Sequence, residues 1–309
     1  MTGAPFETFC STLSRASGEP LFGTATQAEV WFLLEYDAVW ERKAFESSTL
    51  PPAIKERLAA QVSAIPQARV QVIRQSPRRA PEGIAFFVAL TSERDPALYE
   101  FRLASYADLL VLDLPAIVRR DPAYTAHRRG DPLWLVCTHG KRDRCCALYG
   151  LPVYRTLAAQ VGAAVWQTSH VGGHRFAANL ISFPYGIGYG RGAPDDVPGL
   201  VAAGQQGRLV IEQYRGRACY NKPAQAAEYY LRRATGQAAL EAFRLIETSR
   251  PAPDAWTIRF EEMATGAVHD LALIEEPLPP QRVSCDADEP EALTQFRLIR
   301  HSTSGPHSA

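Results

Sequence analysis

Two short stretches concentrate the side chains able to hold a soft metal. In CTHGKRDRCC, Cys137 and Cys146 have eight residues between them, and in HVGGH, His170 and His174 have three. Two thiolates and two imidazoles make a complete four-ligand set. Cys145 is the awkward neighbour, read as a buried thiol or a substitute ligand. Gly172 and Gly173 permit sharp turning and close backbone approach, and their amides could donate hydrogen bonds to sulfur. Lys141, Arg142 and Arg144 form a basic loop over the proposed centre. That loop reads equally as a solvated turn or as a functional feature, either a docking patch or a stabiliser of the reduced, negatively charged state. His127, His139 and His269 stand outside the pairs, His139 being the reserve ligand. Cys10, Cys219 and Cys285 have no ligand-like companions and read as small buried hydrophobes.

The elements around these residues place them where loops can converge. PLWLVC (132–137) reads as a strand ending on the first cysteine, 151–160 as a helix and 163–167 as a strand that delivers the histidines. A hairpin over 178–183 and 186–190 follows, and then a helix capped by Asp195 or Asp196. The same order precedes it: strand 27–36, helix 51–64, strands 68–73, 84–91 and 98–104, and a helical turn at 106–111. Both blocks contain LAAQV, at 58–62 and 157–161, which is either an internal duplication or the chance agreement of two alanine-rich helices. Between the blocks, 121–131 reads as a linker. After them come a helix at 223–234, a hairpin of 256–262 with 267–274, a proline-rich loop at 276–281 and a disordered tail from Ser302.

At 309 residues the prior is two or three domains. Lys plus Arg equals Asp plus Glu at 33 each, which removes the electrostatic warrant for a nucleic-acid or anionic-membrane binder. The apolar runs are too short to span a bilayer and no secretory leader is legible, so a cytoplasmic protein is expected. Six cysteines are too few for a disulfide scaffold, and clustered thiols in a reducing compartment are more often metal or redox groups.

The chain resembles the sucrase/ferredoxin-like family in GEPLFGTA (18–25), CTHGKRDRCC (137–146), SHVGGHRFAANLISFPYGIGYGR (169–191) and YRGRACYNKPAQAAEYYLR (214–232). The resemblance implies a thioredoxin-like domain with a [2Fe–2S] cluster on Cys137, Cys146, His170 and His174. It implies one-electron transfer between a protein donor and acceptor that the sequence does not identify. The expected fold is α/β: an N-terminal α/β domain without ligands at 1–125, read as a degenerate thioredoxin-like copy, then the ferredoxin domain at 126–215 and a small α+β extension at 216–309.

Ordinary ferredoxins of this fold use four cysteines. Replacing two thiolates by neutral histidines removes negative charge, so an added electron meets less repulsion and the potential rises. Histidine-ligated Rieske centres lie at about −150 to +300 mV against about −400 mV for plant-type ferredoxins. A ligand histidine with its second nitrogen in solvent would also couple the potential to pH. Cys₂ on one iron and His₂ on the other is the simpler pairing.

The alternative is a binding module with a structural Cys₂His₂ zinc site, although gaps of eight and twenty-three residues depart from the usual finger spacing. Thiol oxidoreductase chemistry lacks its C-x-x-C pair. No catalytic residue is legible. Asp195 and Asp196 are explained by capping rather than as a glycosidase pair, and GIGYGRG (186–192) lies in a hairpin with no helix immediately after it.

Overall fold

The structure, a computed structural model, describes residues 9–305. A short helix α1 (Cys10–Ala16) leads into β1 (Val30–Glu35), whose VWFLLE is buried along its whole length because both its faces meet apolar layers. Helix α2 (Pro52–Ala64) returns the chain to β2 (Ala68–Arg74), parallel to β1. Strands β3 (Ile84–Leu90) and β4 (Ala97–Leu103) add on antiparallel, and α3 (Leu114–Val118) closes the block.

The second block repeats that order. Strand β5 (Leu133–Cys137) is followed by α4 (Arg144–Val161) and the parallel strand β6 (Val165–Thr168), then by the antiparallel hairpin β7 (Leu180–Phe183) and β8 (Ile187–Tyr189). Helix α5 (Val197–Gln205) and strand β9 (Tyr214–Arg217) complete it.

One nine-stranded sheet results, in the order β4-β3-β1-β2-β6-β5-β7-β8-β9. Within it β2-β1-β3-β4 and β6-β5-β7-β8 have the same topology, and the LAAQV strings fall in the corresponding helices α2 and α4. Among the described residues the ladder between the halves, β2 with β6, is short: Ile73 pairs with Thr168 and Arg74 with Gln167, and the Ser169 N–H donates to the Val72 carbonyl beside them at 2.9 Å. The sheet therefore runs through the expected boundary at 125/126, and β9 straddles the one at 215/216.

Alternation along the strands divides the core. Phe32 and Leu34 face the layer of α2 and α3, and Trp134 and Val136 face α4 and α5. Trp31, Leu33, Leu135 and Cys137 point to the opposite face, where both halves share one apolar layer. The sheet curls enough for Trp31 to meet Phe183 at 5.4 Å and Phe87 to meet Trp166 at 5.8 Å between ring centroids.

Helix α6 (Lys222–Thr235) then packs against a four-stranded antiparallel sheet of β10 (Phe243–Ala252), β11 (Ala255–Glu262), β12 (Val268–Gln281) and β13 (Glu291–Ser304). Two expectations change here. The proline-rich 276–281 is not a loop but the end of β12: past the Ala255–Ile274 pair β11 no longer flanks it, so proline's missing N–H can face an open edge. The tail from Ser302 is ordered as far as Ser304, paired with Val268, His269 and Asp270, and residues 306–309 lie outside those described. No helix among the described residues is long and apolar enough to cross a membrane.

Candidate metal centre

Cys137 is the last residue of β5, and its side chain enters the shared apolar layer. Helix α4 begins at Arg144 rather than at Leu151, because the Asp143 carboxylate accepts from the Cys145 N–H at 2.9 Å and caps it. Pro152 sits inside the helix instead of opening it. Capping places Cys146 in the first turn. Gly150, one turn further along the same face, lets the helix lie against the end of β5: a Cβ there would stand 2.1 Å from the Cys137 carbonyl oxygen. The close approach brings the two thiols together.

The histidine loop leaves β6 at the seam between the halves. His170 Nδ1 lies 3.7 Å from Cys146 Sγ and 4.0 Å from Cys137 Sγ. Donor atoms of these three residues all fall within 4.8 Å of one another. His174 stands beside them, its ring centroid 5.1 Å from that of His170. Its Nε2 is 3.8 Å from Asp143 Oδ2, and its buried Nδ1 has no hydrogen-bond partner among the described residues. A buried imidazole nitrogen without a partner is costly unless something fills the position.

Gly172 and Gly173 adopt φ of +85° and +69°, so the turn does require them. The protein grips this turn by its carbonyls. Arg215 donates to the Gly172 oxygen at 3.2 Å and to Asn179 Oδ1 at 2.7 Å, and Asn179 donates to the Gly173 oxygen at 2.8 Å. Arg215 was not singled out from the sequence, although it lies within the YRGRAC stretch. A buried arginine surrounded by backbone oxygens leaves no local pattern.

The thiol pair shares its charge unequally. Hydrogen bonding from Cys146 holds the Cys137 thiol well below its ordinary value against the effect of burial, with help from His170. The same bond and burial push Cys146 up. Burial pushes His174 down and so favours the neutral imidazole that a metal needs. His139 is excluded as a reserve ligand: its Nδ1 accepts from the His170 N–H at 3.3 Å and its Nε2 reaches the Glu41 carbonyl at 2.9 Å. His127 stacks on Phe101, and His269 pairs with His301, both away from the centre.

Of the basic loop, Lys141 is exposed and paired with Glu41 at 2.6 Å, and Arg144 starts α4 with its guanidinium 6.0 Å from the Phe9 ring. Arg142 joins Arg42, Lys43 and Arg69 around a depression of about 220 Å³ that reaches His170.

A second set of thiols was missed. Cys10 and Cys285 are buried as expected, yet they are not without companions: with Cys145 they form a triangle of sulfurs beside Asp143. Separations of 135 and 140 residues from Cys145 hid the grouping. The described cysteines are all free.

Comparison with known proteins gives a family model, described as sucrase/ferredoxin-like, that matches residues 21–216, more than half of the chain. Curated relatives include a protein called altered inheritance of mitochondria protein 32 from Meyerozyma guilliermondii, 37% identical over 98 residues, which are 28% of this chain and 34% of the relative. The protein of that name from Clavispora lusitaniae is 30% identical over 146 residues, 44% of this chain and 51% of the relative. The matches thus span about a third to a half of those relatives. No solved structure gives a significant match.

Proposed function

The chain belongs to the sucrase/ferredoxin-like family, and on that premise we propose that it is a one-electron carrier whose [2Fe–2S] cluster is held by Cys137, Cys146, His170 and His174. One observation carries the reading: thiols from a strand end and a helix start meet an imidazole from a third segment, with the unpartnered nitrogen of a second imidazole alongside. The donor set suits the group, which when bound supplies reversible one-electron transfer.

The chain's residues bind and orient. Cys137 and Cys146 are almost wholly buried, so they keep water from the sulfur side. His174 keeps its buried Nδ1 without a hydrogen-bond partner among the described residues, and the Asp143 carboxylate lies 3.8 Å from Nε2, where it acts on the ring by charge rather than by a hydrogen bond. His170 reaches the basic depression, and there an acidic redox partner would dock close to a ligand. The place of action is the cytoplasm on the sequence reading. The relatives' name adds the mitochondrion, and fractionation of cells expressing the chain from its own promoter decides between them.

A second reading has one observation in its favour. Nitrogen-to-sulfur distances of 3.7 and 4.0 Å are close to the edge of about 3.6 Å that a tetrahedral zinc site would have. Electron paramagnetic resonance of the anaerobically purified, dithionite-reduced protein decides. A [2Fe–2S] signal that shifts in His170→Cys and His174→Cys supports the carrier. Silence after iron–sulfur reconstitution, with zinc held by imidazole nitrogen as well as sulfur in the purified chain, overturns it.

A further inference from the structure

The triangle of Cys10, Cys145 and Cys285 is not used by the reading above. Its sulfurs are separated by 3.5 Å between Cys10 and Cys145, 3.3 Å between Cys145 and Cys285 and 3.7 Å between Cys10 and Cys285. Three thiolates on one tetrahedral ion, each at about 2.3 Å, would sit about 3.8 Å apart. The observed triangle is slightly tighter than that and nearly equilateral. A disulfide would use two of these sulfurs and strand the third, whereas one ion engages all three.

A potential fourth donor is in place. Both oxygens of Asp143 lie 3.9 Å from Cys10 Sγ. They already accept the backbone N–H groups of Cys145 at 2.9 Å and Cys285 at 2.8 Å, so the carboxylate aligns two of the cysteines from behind. A carboxylate has about four lone-pair sites, which leaves capacity for an ion. The Ser284 hydroxyl also donates to Asp143, at 3.1 Å, and the Ser11 hydroxyl lies 3.2 Å from Cys145 Sγ.

The segments that meet here come from the two ends and the middle of the chain. Cys10 is the first residue of α1, Cys145 lies in the first turn of α4, and Cys285 is in the loop between β12 and β13. Nothing in local sequence would bring three scarce residues of one type to a single buried point. Three neighbouring thiolates repel one another when buried, and a divalent cation removes that repulsion.

We propose that Cys10, Cys145 and Cys285 bind one zinc ion through three thiolates, with Asp143 completing the set. Each thiol gives its proton to solvent as its sulfur–zinc bond forms. The ion ties the first helix and the C-terminal sheet to the start of α4, one residue from Cys146. Asp143 then stands between the two centres, since His174 approaches it at 3.8 Å.

The test uses the full chain, purified anaerobically and freed of metal, titrated with Zn²⁺ alone. Cys137→Ser cripples the first centre and leaves the triangle intact, while Cys10→Ser and Cys285→Ser do the reverse. The expected result is one zinc per chain in Cys137→Ser, with three sulfurs and no imidazole nitrogen in its X-ray absorption first shell. In Cys10→Ser and Cys285→Ser, high-affinity binding at this site should weaken at least a hundredfold. A Cys137→Ser chain that takes no zinc, or takes it with imidazole nitrogens, overturns the proposal; so do Cys10→Ser and Cys285→Ser chains that match the unsubstituted chain in zinc number and affinity. The shell count on Cys137→Ser decides even if a triangle variant does not fold. Neither result depends on the iron signal by which the electron-carrier reading stands or falls.

Discussion

Replacing Gly150 by alanine should loosen the first centre while working against ordinary helix energetics. In an open helix position the change is favourable by about 0.8–1 kcal/mol. Here the added Cβ would lie 2.1 Å from the Cys137 carbonyl oxygen and 3.1 Å from its carbon, where ordinary contact begins near 3.4 Å. Helix and strand end must therefore part by roughly the difference, 3.4 − 2.1, or about 1.3 Å. Overpacking of this kind costs about 1–3 kcal/mol, and a backbone neighbour that cannot swing aside puts the cost at the upper end. The net effect is a loss of about 2 kcal/mol, a fall of about 3 °C in melting midpoint for a chain of this length. Because Cys146 rides on the displaced turn, metal release to a chelator should accelerate about 10- to 100-fold. Gly199 in α5 is the control: nothing lies within 4 Å of its Cβ position, so Gly199→Ala should be neutral or stabilising and leave release unchanged. If Gly150→Ala stabilises as the control does and holds metal as tightly as the parent, the close approach of α4 to β5 does not set the thiol pair.

Arg215→Met should speed metal release about tenfold or more and lower stability by about 2–4 kcal/mol, because the Gly172 carbonyl and Asn179 Oδ1 lose their donor; release at the parent rate would show that the turn holds itself. Glu228→Gln should cost about 3–5 kcal/mol in thermal unfolding, since it leaves Arg217 and Arg232 buried without their shared counter-ion at 2.9 Å. Burial pushes the Glu228 carboxyl up, but the two guanidinium groups outweigh it and hold it below the usual value. Its contribution is therefore complete above the unfolded value of about 4.3 and fades as pH falls through the lower folded value. Over that acid window the variant's stability should vary less with pH than the parent's, and parallel curves would refute the assignment. Trp166→Ala, in the layer both halves share, should cost about 3–5 kcal/mol, and a loss under 1 kcal/mol by denaturant titration would mean that the layer is not a common core.

Much of the molecule was legible because strands buried on both faces read as apolar runs; β1, β3 and β5 differ from expectation by a few residues at their ends. The paired order of the two blocks was visible for the same reason. Strands β10 and β13 were not, since their outward residues are polar and exposed and their pairing is decided by β11 and β12 rather than by their own pattern. The four ligand candidates were legible because each pair is local. Gly150 and Arg215, which position them, act across the fold, and the thiol triangle joins residues up to 275 positions apart.

The narrow stitch between β2 and β6 carries a lesson about dissection. The histidine loop departs from that stitch, and the strand faces of Leu135, Trp166, Ile181 and Phe183 are roofed by residues of the other block. Cutting the protein at the linker would leave the ligand-bearing piece with a bare greasy flank and a frayed loop, prone to clump before it could hold a metal. The repeated architecture is thus not two modules in tandem: whatever its ancestry, each half now serves as the other's lining.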